Sequence, residues 1–425
     1  MRLLLVLALV AAGIVWAASG SSADAVDSTA QSSWFKQTSG SGARLFAVDF
    51  SDASRGWAVG ENGTILATTN GGATWNAQTL GSSASIWSVA FTDATHGWAL
   101  GSGGAILATT DGGATWSQQS SNEWGGLLWA VNLYAISSSD AAHAWAVGYD
   151  FKVGAGCIFA TADGGATWSA QSSGSSEELR GVTFSDASHG WAVGIKGTIL
   201  ATVNGGATWT PQSSGGDAWL YDVAFTDASH GSAVGFEHTG AGAIVATTDG
   251  GITWHAQKPG GSETLYAILM GVAATDPVHA WAVGQSGTIL ATADGGATWR
   301  MQNSGSSASL DDIAFPDVVH GWAVGENGTI LATTSGGFPT APNLAKIKPT
   351  SAKRGALVTI TGTDFGASRG ASAVRFGQVK CTTYASWSAT RIRCKVPARA
   401  PYGALKVGVT TAAGRSNFLR FTVRR

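Results

Sequence analysis

Six of the eight histidines share one register: His96, His143, His189, His230, His279 and His320 each precede a Gly or Ala that leads into a new apolar run. An aspartate register accompanies them, at Asp52, Asp93, Asp140, Asp186, Asp227, Asp276 and Asp317. Imidazoles and carboxylates at this density suggest metal or acid–base chemistry. A repeated register argues against it, because equivalent residues of separate units lie too far apart to converge on one ion at bonds of ~2 Å. They read instead as turn residues, the imidazole nitrogens bonding nearby backbone. A third recurring group is S/T-x-D-x-G-x-T-W, at Thr109 to Trp116, Thr161 to Trp168, Thr247 to Trp254 and Thr292 to Trp299. Asn70 and Asn204 replace its Asp in two further copies, and an amide can tie off a hairpin as a carboxylate does, whereas catalysis or calcium binding would not tolerate the exchange. Each group offers one oxygen, and calcium needs several clustered. Acids outside any register, Glu177, Glu178, Glu237 and Glu263, are the remaining material for a hydrolytic pair, which needs two carboxylates roughly 5–10 Å apart. No motif calls for a cofactor or a metal.

The elements that position these residues follow from the repeat. Leu45 opens the unit LFAVDFSDASRGWAVGENGTILATTNGGATWNAQ, and relatives begin at Ile86, Leu133, Leu179, Leu220, Leu269 and Leu310, with landmarks 41 to 52 residues apart. Each copy holds four short runs of apolar and β-branched residues separated by Gly, Asn, Asp or Ser, so each predicts a four-stranded meander. Asn62-Gly63 and Asn70-Gly71 suit the left-handed positions of tight hairpins. A lone meander cannot bury both faces, and a ring of seven leaves no open end, so the fold class is an all-β, seven-bladed β-propeller. The seventh copy stops at Phe338-Pro339 without its fourth strand. At the other end Trp34 and Gln37 stand 41 residues before Trp75 and Gln78, which predicts that an N-terminal strand completes the last blade. Thirteen of the 19 tryptophans sit at landmark positions and are expected to pack between blades.

The box just described resembles the Asp-box of sialidase-like propellers. The whole unit, HGWAVG…GTILATTDGGATW, is similar to the propeller of the photosystem II stability and assembly factor family, over about residues 32 to 338. Photosynthetic members of that family resemble chaperones that hold a membrane-protein subunit and use a basic patch. Here the propeller keeps as basic residues only Lys36, Arg44, Arg55, Lys152, Arg180, Lys196, Lys258 and Arg300. A sialidase would need three converging arginines, a Tyr nucleophile and an acid, and its Arg-Ile-Pro signature is absent. A non-enzymatic binding role is the leading expectation, with a photosystem-type chaperone and a sialidase-like or other glycoside hydrolase as alternatives.

Insertions fall on one face of the ring, that of the loops before the first strand and between the second and third. They bring the irregular residues Trp124, Trp129, Tyr149, Phe151 and Lys152, then Phe236, Glu237, His238 and Tyr266. The second position of each inner strand adds Phe46, Trp87, Tyr134, Arg180 and Tyr221 near the channel mouth. Variable aromatic loops on a rigid frame are where recognition resides. The expected partner is a protein or an envelope glycan.

Residues 1–25 read as a cleavable export signal, 30–338 as the propeller, 339–344 as a linker and 345–425 as a second domain. Its runs ITGTDFG, VRFG and CKVP resemble the IPT/TIG immunoglobulin-like β-sandwich. This region carries 16 Lys and Arg against Asp364 alone, while residues 26–340 carry 8 basic and 25 acidic residues. Such asymmetry favours an anionic surface as the tail's partner, with nucleic acid not expected in an exported, secreted or envelope-associated protein. Export permits disulfides, so Cys381, 13 residues from Cys394, is expected to pair with it, leaving Cys157 a buried thiol.

Overall fold

Short apolar runs broken by glycine turns pair most readily with their neighbours in sequence, and they do so throughout the computed structural model. It describes residues 34–80, 83–119, 131–258, 265–338, 341–366, 368–411 and 414–425. In the first repeat Leu45–Phe50 pairs with Gly56–Gly60, then come Ile65–Thr68 and Asn76–Ala77, all antiparallel. The next five repeats form the same four-stranded sheet. Each inner strand packs against those of the blades before and after it, and Leu310–Ala314 of the seventh packs against Leu45–Phe50 of the first. The ring is closed.

The last blade takes its fourth strand from the other end of the chain. Phe35–Gln37 pairs with Thr329–Thr333, in the register Phe35 to Ala332 and Gln37 to Ile330. The two landmark residues of this clasp also bridge the adjoining seams. Trp34 Nε1 donates to Gln302 Oε1 of the sixth blade (2.7 Å). Gln37 accepts from Trp75 Nε1 (3.0 Å) and donates to the Gly71 carbonyl (2.8 Å), both in the first blade.

Aromatic stacks fill the seams. The Trp of one blade lies flat on the Phe that ends the next blade's inner strand: Trp57 on Phe91, Trp145 on Phe184, Trp191 on Phe225, Trp281 on Phe315 and Trp322 on Phe50, with centroids 3.4–3.7 Å apart. That Phe covers a glycine of its own blade, and the glycine is obligatory. A Cβ on Gly97 would come within 2.6 Å of the Phe91 ring, and Gly56, Gly190, Gly231 and Gly321 stand in the same relation to their phenylalanines. In two blades the glycine is Ala144 or Ala280, and in those two the phenylalanine is Ser138 or Ala274. The chain thus changes both partners together.

Inner-strand carboxylates cross seams as well. Asp49 accepts from the Phe50 and Phe91 amides, Asp222 from Val223 and Val272, and Asp312 from Ile313 and Val48. Burial pushes Asp49 and Asp222 up to about 6, and raises Asp312 well above its ordinary value, with the Asp222 charge adding to the effect.

The turns depart from expectation in two details. Asn62 is left-handed (φ 55°), as are Lys196, Ser286 and Asn327 at the equivalent place, but Asn70 is not. There the left-handed residues are Gly71 and Gly72, and Asn70 works through its side chain, its Oδ1 accepting from the Thr74 amide (2.9 Å). The register histidines bond carboxylate rather than backbone. Each Nδ1 lies 2.8–3.0 Å from the aspartate three residues earlier, because that aspartate already caps the histidine's own amide and so holds its second oxygen beside the ring.

A second unit follows, its first strand, Asn343–Lys348, beginning inside the stretch expected to be linker. One sheet runs Asn343–Lys348, Leu357–Thr363, Arg391–Lys395, Tyr384–Trp387; the other is built on Leu419–Arg424, Gly403–Thr411 and Ala373–Phe376. Their alternating apolar residues, among them Ile347, Ile360, Phe376, Ile392, Val407 and Phe421, form one core between the sheets. This is a β-sandwich. Cys381 and Cys394 are not bridged in it: both are buried free thiols, each shifting the other's acidity. Cys381 Sγ also finds two acceptors, the carbonyls of Thr383 (3.4 Å) and Lys395 (3.2 Å), so the thiol is satisfied without a bridge. Cys157 is a half-buried free thiol pushed up to about 12 by burial. Among the described residues no helix is long and apolar enough to cross a membrane, and the expected export signal lies outside them.

Candidate functional site

The loop before each inner strand and the turn between the second and third strands meet at one end of every blade: the amides of Glu61 and Ile195, in that turn, donate to the carbonyls of Arg44 and Glu178. Insertions in these loops therefore share a face with the second residue of each inner strand. A β-bulge in each inner strand at this point, for example between Leu179 and Gly181, lets the second residue leave the ladder.

At the fourth blade that residue is Arg180. Its guanidinium lies over Tyr134 of the third blade (4.4 Å to the ring centroid) and near Tyr221 of the fifth (5.8 Å). Glu178 holds it through Nη2 at 3.1 Å. Arg180 Nε is buried and has no hydrogen-bond partner among the described residues. The Tyr134 hydroxyl is pushed up to about 12 by burial and by the Glu178 carboxylate, so it remains a neutral donor. Burial raises Tyr221 too.

From Tyr221 the aromatic row continues outward. Phe236 packs on Tyr221 (5.6 Å) and on Trp219 (5.6 Å), and Trp219 meets His238 edge-on (6.3 Å). His238 Nε2 stands 3.8 Å from the Asp217 carboxylate. A second arc lines the opposite side of the ring. Arg44 grips Asp311 with two bonds (2.6 and 2.7 Å) and lies over Phe46 (5.6 Å), which leans on Trp87 (4.6 Å).

The structure therefore brings Tyr134, Arg180, Tyr221, Phe236 and His238 into one row and adds Glu178 and Trp219 to it. Tyr149 and Phe151 form a separate edge-to-face pair (5.1 Å). Lys152, Glu237 and Tyr266 point into solvent, Tyr266 with 78% of its surface exposed. Trp124 and Trp129 lie outside the described residues. Trp219 was missed because it precedes the repeat's landmark leucine, where the other blades carry no aromatic. Two of the off-register acids are committed to cations, Glu178 to Arg180 and Glu177 to Lys196 (3.1 Å), while Glu263 lies outside the described residues.

The sandwich has a different surface character. Lys346, Lys348, Arg391, Arg393 and Lys395 are exposed on three adjacent strands of one sheet, and threonines 359 and 361 lie between them on the middle strand.

Comparison with known proteins agrees with both halves. Residues 342–423 match the IPT/TIG domain, and residues 26–87 and 77–129 match the photosynthesis system II assembly factor YCF48 family. The resemblances read from the repeat and from the C-terminal motifs therefore hold. Among solved structures, YCF48 bound to D1 peptide is 24% identical with a TM-score of 0.56, covering 72% of this chain and 98% of its own. YCF48 from Cyanidioschyzon merolae is 23% identical, covering 71% and 98%, with a TM-score of 0.55. The GH74 enzyme of Niastella koreensis is 13% identical, covering 92% and 75%, with a TM-score of 0.54. At these identities the likeness is one of fold. A cyclomaltodextrin glucanotransferase of Bacillus sp. (strain 17-1) is 39% identical over 80 residues, 18% of this chain, which spans only 11% of that relative's length.

Proposed function

We propose that this chain is an exported, non-catalytic binding protein whose propeller recognises a protein segment or an envelope glycan on its inserted-loop face. The observation that carries this reading is Arg180: a cation stacked between two tyrosines, with a buried donor left unpaired, at the head of an aromatic row. Stacked guanidinium and adjoining aromatic faces suit an extended partner bearing carboxylate, carbonyl or sugar hydroxyl groups. A solved propeller of similar fold is described as bound to a peptide, which supports the protein alternative. The commitment of Glu177 and Glu178 to cations leaves them unsuited to a hydrolytic pair, which supports a binding role over catalysis.

The sandwich serves as a spacer or as an attachment to an anionic surface, its five-cation face being the contact. The test is an array of short peptides and envelope oligosaccharides probed with the full chain and with Arg180→Ala and Tyr221→Ala. Ligands of this site lose at least tenfold in affinity in both variants; undiminished binding overturns the assignment. For the sandwich, sedimentation of the full chain with cell envelope should be reversed by salt, and sedimentation that salt leaves unchanged would refute the electrostatic attachment.

A further inference from the structure

Five seams of the ring are filled by an indole laid on a phenyl ring, and a sixth by Trp98 facing Ser138. The seam between the fifth and sixth blades has neither ring. Ser232 stands at the Trp position and Ala274 at the Phe position. In their place is a shallow depression, open to solvent and lined by Ser232, Ala246, Ala274 and Ala280 together with His230 and His279.

The seam is pinned at both ends. Asp222 accepts from the Val272 amide (2.8 Å) at the inner strands, and Trp299 Nε1 donates to Gln257 Oε1 (2.7 Å) at the outer ones. The walls therefore cannot close over the missing rings, and a preformed apolar slot is a binding site for flat apolar molecules. Ala280 is no obstacle, because Trp98 occupies its seam opposite the equivalent Ala144 and is 2% exposed.

Five of the six counterparts also say what polar group the slot offers; in the sixth, Trp98 Nε1 is buried without a hydrogen-bond partner among the described residues. Trp57, Trp145, Trp191, Trp281 and Trp322 each donate Nε1–H to a box glycine carbonyl of the next blade, those of Gly112, Gly205, Gly250, Gly336 and Gly71. The matching carbonyl here is that of Gly295, which also lines the depression. Among the described residues it receives one long bond, from Gln257 Nε2 at 3.4 Å. Where the indole is present, Gly112 accepts both Trp57 Nε1 (2.8 Å) and Gln78 Nε2 (3.0 Å). An acceptor position at Gly295 is thus left over.

We infer that this seam binds a small planar aromatic molecule carrying a ring N–H, the ring lying where the other blades place their own indole and the N–H donating to the Gly295 carbonyl. The probe is indole itself, added to the full chain while the thermal midpoint is followed, with 1-methylindole as the same shape without the donor. Indole should raise the midpoint by a few degrees at about 10 mM, and 1-methylindole should need several-fold more for the same shift. Ser232→Trp supplies the ring from within, so that chain should melt higher unliganded and ignore indole. Ser232→Phe blocks the slot with a smaller ring should the first variant fold poorly. No response of the wild-type chain to indole, or an equal response in both filled variants, would overturn the site. Equal potency of 1-methylindole would refute the part given to Gly295.

Discussion

Replacing Gly190 by alanine should destabilise the propeller only because Phe184 is there. Gly190 has an ordinary negative or extended φ, so alanine meets no backbone penalty. Its Cβ would instead run into the Phe184 ring, which is held from its other side by Trp145 at 3.5 Å and edge-on by Trp209 at 5.8 Å. The ring cannot retreat, so the substitution overpacks the seam and costs about 2 kcal/mol, within the usual range for forced overpacking. Phe184→Ala alone removes a ring 7% exposed and leaves a cavity, a loss of about 3–4 kcal/mol. Independent effects would sum to about 5–6 kcal/mol, but in the double variant the new Cβ has nothing to strike, so the cost should stay near that of Phe184→Ala alone, a coupling of about 2 kcal/mol. Urea unfolding of the four chains, followed by near-ultraviolet circular dichroism of the seam tryptophans, measures it. Additivity within about 0.5 kcal/mol would refute the idea that the glycine is kept for the ring.

Other outcomes follow from the same contacts. Gln37→Ala removes the acceptor of Trp75 Nε1 and the donor to the Gly71 carbonyl, and should cost about 1–3 kcal/mol and open the first seam to proteolysis; an unchanged midpoint would mean the clasp contributes nothing. Asp49, Asp222 and Asp312 bind protons more tightly folded than unfolded. For Asp49 and Asp222 this stabilisation is complete below about pH 4 and is lost as pH rises through about 6, on the order of 2 kcal/mol for each at pH 6, and Asp312 acts in the same direction, so the midpoint should fall over this window. Asp222→Asn should flatten that slope whatever its absolute midpoint, and an unaltered slope would show that the carboxylate does not titrate there. Cys381 Sγ lies 3.2 Å from the carbonyl of Lys395, the residue after Cys394, and the two thiols shift each other's acidity, so an oxidant should join them; peptide mass spectrometry without reduction should find the pair lighter by two hydrogens, and two intact thiols would count against it.

The ring was legible because its packing residues repeat. A Trp and a Gly recurring once per unit mark the second strand and the box turn directly, and the matching offsets of Trp34 and Gln37 mark the clasp. What escaped were contacts between units. Alternation shows that Arg180 and Tyr134 leave the sheet on the same side, but not that the guanidinium of one blade lies on the ring of its neighbour. The histidine partner was misread because an aspartate that caps a turn and one that holds an imidazole look alike in sequence. Ser232 was visible as a broken landmark, yet its meaning depended on knowing that Ala274 faces it across the seam. The exchange of Gly for Ala beside Ser138 and Ala274 was equally visible and equally mute until the stacking order was known.

Closure by the clasp also imposes an order in time. Trp34 reaches its partner Gln302 across 268 residues, whereas the meanders need only their own neighbours. During synthesis each blade can therefore form as it emerges, while Phe35–Gln37, made first, must wait for nearly the whole ring. Until then the edge of Thr329–Thr333 has no partner, and any foreign strand could take the place kept for the N-terminus. Two nascent copies that exchanged these segments would each be complete, so crowding late in folding carries a specific risk of interlocked pairs.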